Sequence, residues 1–264
     1  SRRQRNVAIS IGIMLIVLFA LVIPFAKSPW LMIEPFIPIV VTIVFWSDII
    51  TAVLLFSQAL VTRRTPIVVL FATYLFSGLM TIPYLFSFPG LFAPLGLFGG
   101  NTQTTNWLWI VWHAGFPLGI LLYLWLDSRP APPLASTGRT VALAAISAAA
   151  IGLLIVGLSA VAYRFNHFLP TLVINRNYER VISSGIGPVL WLVGLAALIA
   201  IIVRTRGQMI VHLWLTIAMI AWLLDVAMTL LSGERFSIGW YIARVNTVFA
   251  SIAVLLAMLS LIHI

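Results

Sequence analysis

The sequence predicts an all-α integral membrane protein, a bundle of eight transmembrane helices with the N- and C-termini in the cytoplasm. The first observation is composition: 62% of the 264 residues are hydrophobic and only 8% are charged, whereas roughly a quarter are charged in a soluble domain. The second is a mean hydropathy of +1.13. The third is a series of eight apolar stretches, each about as long as the ~20 residues that a helix needs to cross a bilayer.

The eight predicted spans follow one another along the whole chain. No segment between them is long enough to fold as a soluble domain, so residues 1–264 are predicted to form a single integral-membrane domain. The chain begins at Ser1 and ends inside an apolar run, and we therefore expect the natural protein to be longer. The spans are 7–25, 36–60, 67–85, 106–126, 141–162, 185–203, 209–231 and 238–264.

The connections are predicted from their own composition. Segment 27–35 places Trp30 at the height of the membrane interface, where tryptophan is enriched. Segment 88–105 is rich in glycine and aromatic residues and is apolar enough to dip back into the bilayer. Segment 127–140 is a proline-rich linker, and segment 163–181 is predicted to lie on the membrane surface as an amphipathic segment.

The fifth span is rich in small residues. Ala148 and Gly152 are four residues apart, a small-xxx-small relation that lets two helices approach closely. We interpret it as ordinary packing inside the bundle.

The basic residues set the predicted orientation. Loops on the cytoplasmic side of membrane proteins carry an excess of lysine and arginine, so the side with more basic residues at the span ends is predicted to be cytoplasmic. One side holds Arg2, Arg3, Arg5, Arg63, Arg64, Arg129, Arg139, Arg204 and Arg206, and the other holds Lys27, Arg164, Arg176, Arg180, Arg235 and Arg244. The net charge of +9 therefore reflects membrane topology, and binding to nucleic acid is not implied.

Three charged residues lie inside the predicted spans. Asp48 is near the middle of the second span and is predicted to be an inner polar anchor close to the membrane midplane. Asp225 and Arg244 lie at matched depth on consecutive spans, each about six residues from the outer end. Because an unpaired charge at that depth is costly, we predict a buried ion pair between them, which either locks two helices together or forms part of a binding site.

An aromatic face with one histidine marks the fourth span. Trp109, Trp112, His113 and Pro117 follow helical spacing and share one side of a helix. Pro117 lacks the N–H that the carbonyl of His113 would otherwise accept from. An intramembrane histidine is a candidate functional residue, although it can also simply bond to a neighbouring helix.

A common depth suggests one binding site. If the bundle brings the helices together, His113 lies near the level of the Asp225–Arg244 pair and one outward-opening pocket results. Arg244 would suit an anionic group of a small-molecule ligand, and the tryptophans an apolar or cationic body. The predicted ligand-binding residues are Trp109, Trp112, His113, Asp225, Tyr241 and Arg244.

Several kinds of chemistry are excluded or not expected. The chain has no cysteine, which excludes disulfides, thiolate metal sites and thiol catalysis. Nucleotide-binding loops and hydrolase or metalloprotease motifs are missing from the sequence, so we predict no catalytic residue in this chain. Two intramembrane histidines can bind haem or a metal, but His113 and His212 are expected near opposite membrane faces. We therefore expect no cofactor and no metal.

Two long blocks and one short block resemble a known family. They are YLFSGLMTIPYLFSFPGLFAPLGLFGGNTQTTNWLWIVWHAGFPL (74–118), SGERFSIGWYIARVNTVFASIAVLL (232–256) and SDIITAVLLFSQ (47–58). These blocks resemble the membrane-associated sensor domain of the fourth class. Members of that family often have a histidine after the proline of IPYL, where this chain has Tyr84.

The resemblance implies a bacterial signalling protein. It implies a multi-pass input domain of the bacterial inner membrane, followed after residue 264 by a GGDEF diguanylate cyclase, which makes cyclic-di-GMP, or less often by a histidine kinase. The full-length protein would then be an enzyme and, we expect, a homodimer in the lipid bilayer. Two alternatives remain: a small transporter in which Asp48 and His113 carry a proton or cation, and a passive membrane anchor that dimerises the output domain.

Overall fold

The predicted spans are helices over nearly the predicted ranges. A computed structural model describes residues 2–174, 177–205 and 210–262, and Met209, Arg176, Arg206 and His263 lie outside these ranges. The described α-helices are α1 (Arg2–Val22), α2 (Phe36–Thr62), α3 (Thr65–Phe86), α4 (Thr102–Asp127), α5 (Thr137–Arg164), α6 (Glu179–Ser183), α7 (Ile186–Thr205), α8 (Ile210–Leu231) and α9 (Ile238–Ile262).

The predicted fold class is confirmed. In the described ranges, eight helices, all except the short α6, are long and apolar enough to cross a membrane. The same ranges contain isolated β-bridges but no β-strand. The side of the membrane on which the termini lie stays a prediction.

Polar caps start α4 and α5 four residues earlier than the hydrophobic pattern predicted. The side chain of Asn101 accepts from the backbone N–H of Thr104, whose side chain accepts from the N–H of Asn101. This capping box starts α4 at Thr102. Ser136 accepts from the N–H of Arg139 and starts α5 at Thr137. Such caps satisfy backbone donors that the helix itself leaves unbonded.

The chain divides into two compact units. The first unit consists of Ser1–Val44 and Pro170–Ile264, and in its described part α8 packs against α1, α7 and α9. The second unit is Phe45–Leu169, where α3 packs against α4 and α5. Each unit therefore has its own central helix, α8 in the first and α3 in the second.

Burial separates core helices from peripheral ones within each unit. The most apolar window of α8 is 67% buried, whereas that of α5 is 6% buried. A Cβ added to Gly152 would meet no described atom within 4 Å. Gly152 therefore makes no close helix contact within the described chain, and the packing role of Ala148 stays a prediction.

Two connections, segments 88–105 and 163–181, each contain a 3₁₀ turn. Segment 88–105 is an irregular loop with a 3₁₀ turn at Leu97–Gly99, and it exposes the apolar side chains of Phe92, Leu95 and Phe98. Its insertion into the bilayer stays a prediction. In the described part of segment 163–181, a 3₁₀ turn at Asn166–Phe168 and an extended stretch precede α6. Its position on the membrane surface stays a prediction.

Candidate functional site

A buried ion pair joins α8 and α9. Nη1 of Arg244 lies 3.2 Å from Oδ1 of Asp225, and both residues are almost fully buried, with 5% and 0% of their surface exposed. The predicted pair is thus confirmed. Its residues face each other because α8 and α9 are antiparallel neighbours and the two positions lie at matched depth.

Two threonines add hydrogen bonds to this pair. Nη1 of Arg244 donates to Oγ1 of Thr229 at 3.0 Å, and Oγ1 of Thr247 donates to Oδ2 of Asp225 at 2.7 Å. Hydrogen bonds of this kind offset the cost of removing both charges from water. We call Asp225, Thr229, Arg244 and Thr247 the ionic network.

Three polar side chains on one face of α9 contact different partners. Arg244 and Thr247 belong to the ionic network, whereas Oγ of Ser251 donates to the carbonyl of Val44 on α2 at 3.3 Å. Thr229 was missed by the sequence analysis. Its signal was its position one helical turn after Asp225, which places both side chains on one face of α8.

Tyr241 fixes the segment before α2. Its hydroxyl donates to the carbonyl of Leu31 at 2.6 Å and accepts from the N–H of Ile33 at 3.1 Å. Its ring packs edge-on against Phe36, with 4.7 Å between ring centroids. These contacts tie the beginning of α9 to the connection between α1 and α2.

An apolar groove lies beside Tyr241 in the first unit. Its volume is about 320 Å³, at the lower end of the roughly 300–1,000 Å³ found for small-molecule pockets. Trp240, the residue before Tyr241, lies near the ionic network: Cζ of Arg244 is 5.3 Å from the centroid of the Trp240 ring. The groove is lined by Trp30, Ile33, Phe36, Ile238, Tyr241 and Ile242.

In the second unit, His113 is buried in α4. Its Nδ1 lies 2.9 Å from the carbonyl oxygen of Trp109, and because a carbonyl only accepts, Nδ1 carries the proton in this contact. The imidazole lies against the Trp109 indole at 4.2 Å between centroids, with an angle of 33° between the rings. One nitrogen of the histidine is thus satisfied by its own helix.

Trp112 links the histidine face of α4 to α3. Its Nε1 donates to Oγ of Ser77 at 3.0 Å, and its ring packs against Tyr84 at 5.5 Å. Ser77 was not predicted, because no sequence pattern indicates which serine on another helix an indole will contact. We call Ser77, Tyr84, Trp109, Trp112 and His113 the aromatic cluster.

Asp48 is buried near the middle of α2, with 1% of its surface exposed. A Cβ added to Gly78 of α3 would lie 3.2 Å from Cβ of Asp48, so the glycine lets the two helices approach at this carboxylate. The predicted role of Asp48 as a polar anchor stays a prediction.

The six predicted ligand-binding residues are distributed over the two units. Asp225, Tyr241 and Arg244 belong to the first unit, and Trp109, Trp112 and His113 to the second. A single pocket formed by all six stays a prediction. Throughout the described ranges, no cluster of three or more histidine, aspartate or glutamate side chains could hold a metal ion, and the expected lack of a cofactor also stays a prediction.

Comparison with known proteins identifies the family. Residues 31–264 match the family model described as a membrane-associated sensor, integral membrane domain (MASE4). The match covers most of the chain and includes both the ionic network and the aromatic cluster. No match was found among curated proteins or solved structures. The chain belongs to the MASE4 family and is a multi-pass integral membrane sensor domain.

Proposed function

We propose that this domain is the input module of a receptor in the bacterial inner membrane. It receives a small-molecule signal within the membrane and controls a C-terminal diguanylate cyclase in a homodimer. Membership in a membrane-associated sensor family over residues 31–264 supports the proposal. The single structural observation that carries it is the ionic network, which joins α9, the last helix before the proposed output domain, to the core helix α8.

The ionic network suits a switch because its geometry is discrete. Arg244 and Thr247 on α9 contact Asp225 and Thr229 on α8 through hydrogen bonds of 2.7–3.2 Å. A sliding or rotation of α9 has to exchange these partners, so intermediate positions are disfavoured. Interfaces with two discrete packing arrangements convert small shifts at a binding site into larger movements.

The proposed signal-responsive residues are the six predicted from the sequence, with Asp48 as a polar anchor. In the first unit, the groove beside Tyr241 would take an apolar body. In the second unit, the indoles of Trp109 and Trp112 flank His113, which suits an apolar or cationic group. The list of responsive residues is Trp109, Trp112, His113, Asp225, Tyr241 and Arg244.

The first test uses the full-length protein in vesicles. The coding sequence after Ile264 is determined, and cyclic-di-GMP production is measured while candidate ligands are added. His113→Ala is expected to abolish the response to ligand while the protein remains folded, because the hydrogen bond that it removes lies within α4. His167→Ala is the matched control, since His167 is an exposed histidine of the same unit outside the spans, and it should respond like the wild type.

The ionic network requires a variant pair. Arg244→Ala alone leaves the buried carboxylate of Asp225 without its cation, so a lost response could reflect misfolding. The double variant Asp225→Asn with Arg244→Gln removes both charges, keeps the shape of the side chain at position 225 and leaves a shorter polar side chain at position 244. Loss of the response in the folded double variant supports a signalling role. A normal response in both this variant and His113→Ala would refute the proposed site, and a coding sequence without an output domain would refute the proposed function.

A further inference from the structure

A second groove lies on the outside of the second unit, between the C-terminal halves of α3 and α5. Its volume is about 670 Å³. Pro83 and Phe86 of α3 form one wall, and Val156 of α5 forms the other. Val156 is 67% exposed on a helix of which only 6% of the most apolar window is buried. The groove therefore opens towards the region that lipid occupies around a spanning helix.

The groove changes from apolar to polar along α5. Ile155 and Val156 line its apolar part, and Ser159, Tyr163 and Arg164 follow towards the end of the helix. At a rise of ~1.5 Å per residue, Arg164 lies roughly 13 Å along the helix from Ile155. Such a gradient matches an acyl chain with a polar headgroup at one end.

One buried polar atom in this groove has no bonding partner. Oγ of Ser159 is shielded from solvent and makes no hydrogen bond with the described chain. By contrast, the hydroxyl of Tyr163 donates to the carbonyl of Pro83 at 3.1 Å. Buried polar atoms are nearly always hydrogen-bonded. A rotation of the Ser159 side chain towards the groove would let its hydroxyl donate to a bound group, such as the ester oxygen of a lipid.

The charge at the mouth of the groove is uncompensated within the second unit. Residues 45–169 contain two carboxylates, Asp48 and Asp127. Asp48 lies near the middle of α2, and Asp127 ends α4, where it pairs with Arg64. The C-terminal ends of α3 and α5 lie near the beginning of α4, far from Asp127 at its end. The hydrogen bond from Nδ2 of Asn166 to Oγ1 of Thr104 shows this arrangement. Arg164 therefore faces no carboxylate of its unit and suits an anion.

Phe98 lines the groove in an unfavourable backbone conformation. Its φ of 63° is in the left-handed region, which is unfavourable for a bulky aromatic residue. The ring is 73% exposed and contacts Phe86 and Tyr163, each with 6.2 Å between centroids. Strained residues of this kind often form ligand clamps.

We propose that this groove is a binding site for one anionic phospholipid. The phosphate lies at the guanidinium of Arg164, an ester oxygen accepts from Ser159, and one acyl chain lies along Val156 under the ring of Phe98. The site is separate from the residues proposed to receive the signal, and it makes the domain sensitive to the anionic lipid content of the membrane.

The test measures lipid binding to the detergent-solubilised chain by native mass spectrometry. Phosphatidylglycerol and phosphatidylcholine with identical acyl chains are titrated separately. Wild type should prefer phosphatidylglycerol by about fivefold, the contribution of one basic residue near an anionic lipid surface. Arg164→Gln should remove this preference, and Val156→Trp, which fills the groove, should weaken binding of both lipids.

Two control variants lie on the same helix. Arg139→Gln changes an exposed arginine at the other end of α5, and Leu153→Trp enlarges an exposed residue that does not line the groove. Both should bind lipid like the wild type. Unchanged phosphatidylglycerol binding in Arg164→Gln and Val156→Trp would overturn the proposal, as would equal binding of the two lipids to the wild type.

Other occupants give different results. Tighter binding of oleate than of phosphatidylglycerol would replace the phospholipid by a free fatty acid, and competition by inorganic phosphate alone would reduce the site to an anion site. Loss of a protein dimer, with no change in lipid binding, in Val156→Trp would assign the groove to a second copy of the chain. Each of these outcomes contradicts the proposal.

Discussion

The ionic network and the aromatic cluster satisfy buried polar side chains in different ways. Both place polar side chains in the apolar interior of a helical unit. In the ionic network, each charged group depends on side chains of the neighbouring helix, because Asp225 is on α8 and Arg244 is on α9. In the aromatic cluster, Nδ1 of His113 bonds to the backbone of its own helix, and a neutral bond from Trp112 to Ser77 connects α4 with α3.

This difference between charged and uncharged contacts determines how far each helix can move without a loss of stability. Full charges inside a low-dielectric interior require their partners, so the position of α9 on α8 is tied to four side chains. Neutral rings tolerate small displacements, because the packing and a single hydrogen bond change gradually. We therefore expect the first unit to respond to substitution in an all-or-none manner and the second unit in graded steps.

The largest expected effect comes from breaking the ion pair. Arg244→Ala should destabilise the domain by about 3–5 kcal/mol, because it leaves a buried carboxylate without a cation. The double variant Asp225→Asn with Arg244→Gln should lose less of its free energy of unfolding, since no buried charge remains. Thermal unfolding in detergent, followed by near-ultraviolet circular dichroism, measures both. An equal loss of stability in the two variants would show that the unpaired charge is not the cause. It would contradict the expected difference between the ionic network and the aromatic cluster.

The next effect tests the close packing of α3 on α4. A Cβ at Gly115 would overlap the ring of Phe76, so Gly115→Ala should cost about 1–3 kcal/mol through overpacking. Gly152→Ala is the matched control, because a Cβ there meets no described atom within 4 Å. The same unfolding measurement should show little change for the control. Equal destabilisation of the two variants would mean that helix packing is not the cause.

A smaller effect is expected in the aromatic cluster. Trp112→Phe keeps most of the ring but removes the hydrogen bond to Ser77, so the free energy of unfolding should fall by about 1 kcal/mol. Trp125→Phe serves as the control, since Trp125 is 46% exposed and contacts Arg129 at the surface. A loss in Trp112→Phe as large as that of Arg244→Ala would contradict the graded behaviour expected of the second unit.

The smallest effect belongs to the exposed ion pair of the second unit. Nη2 of Arg64 lies 3.0 Å from Oδ1 of Asp127, and the side chains are 44% and 20% exposed. Solvent screens such pairs, so Asp127→Asn should cost only about 0.2–1 kcal/mol. Added salt should reduce this difference further. A cost that is independent of salt would show that Asp127 acts through something other than its charge.

Much of the fold could be predicted because the membrane makes local patterns decisive. Backbone groups in hydrocarbon must bond within a helix, so apolar stretches of sufficient length identified the eight spanning helices of the described ranges. The polar starts of α4 and α5 were missed, because a hydrophobic pattern does not include the cap that precedes it. The pair of Asp225 and Arg244 was predictable from depth alone, since consecutive spans of a bundle are often neighbours.

The remaining features depend on contacts between positions far apart in the chain. Only the tertiary structure decided that Trp112 bonds to Ser77, that Thr229 completes the ionic network and that Ser251 turns to the carbonyl of Val44. It also revealed the groove of Ser159 and Arg164, two residues that look ordinary in the sequence. The sequence by itself determined the membrane fold, the helices and the charged pair, because length, hydropathy and buried charge are strong local constraints. The tertiary structure decided the partners, because helical periodicity specifies a face and not the residue that meets it.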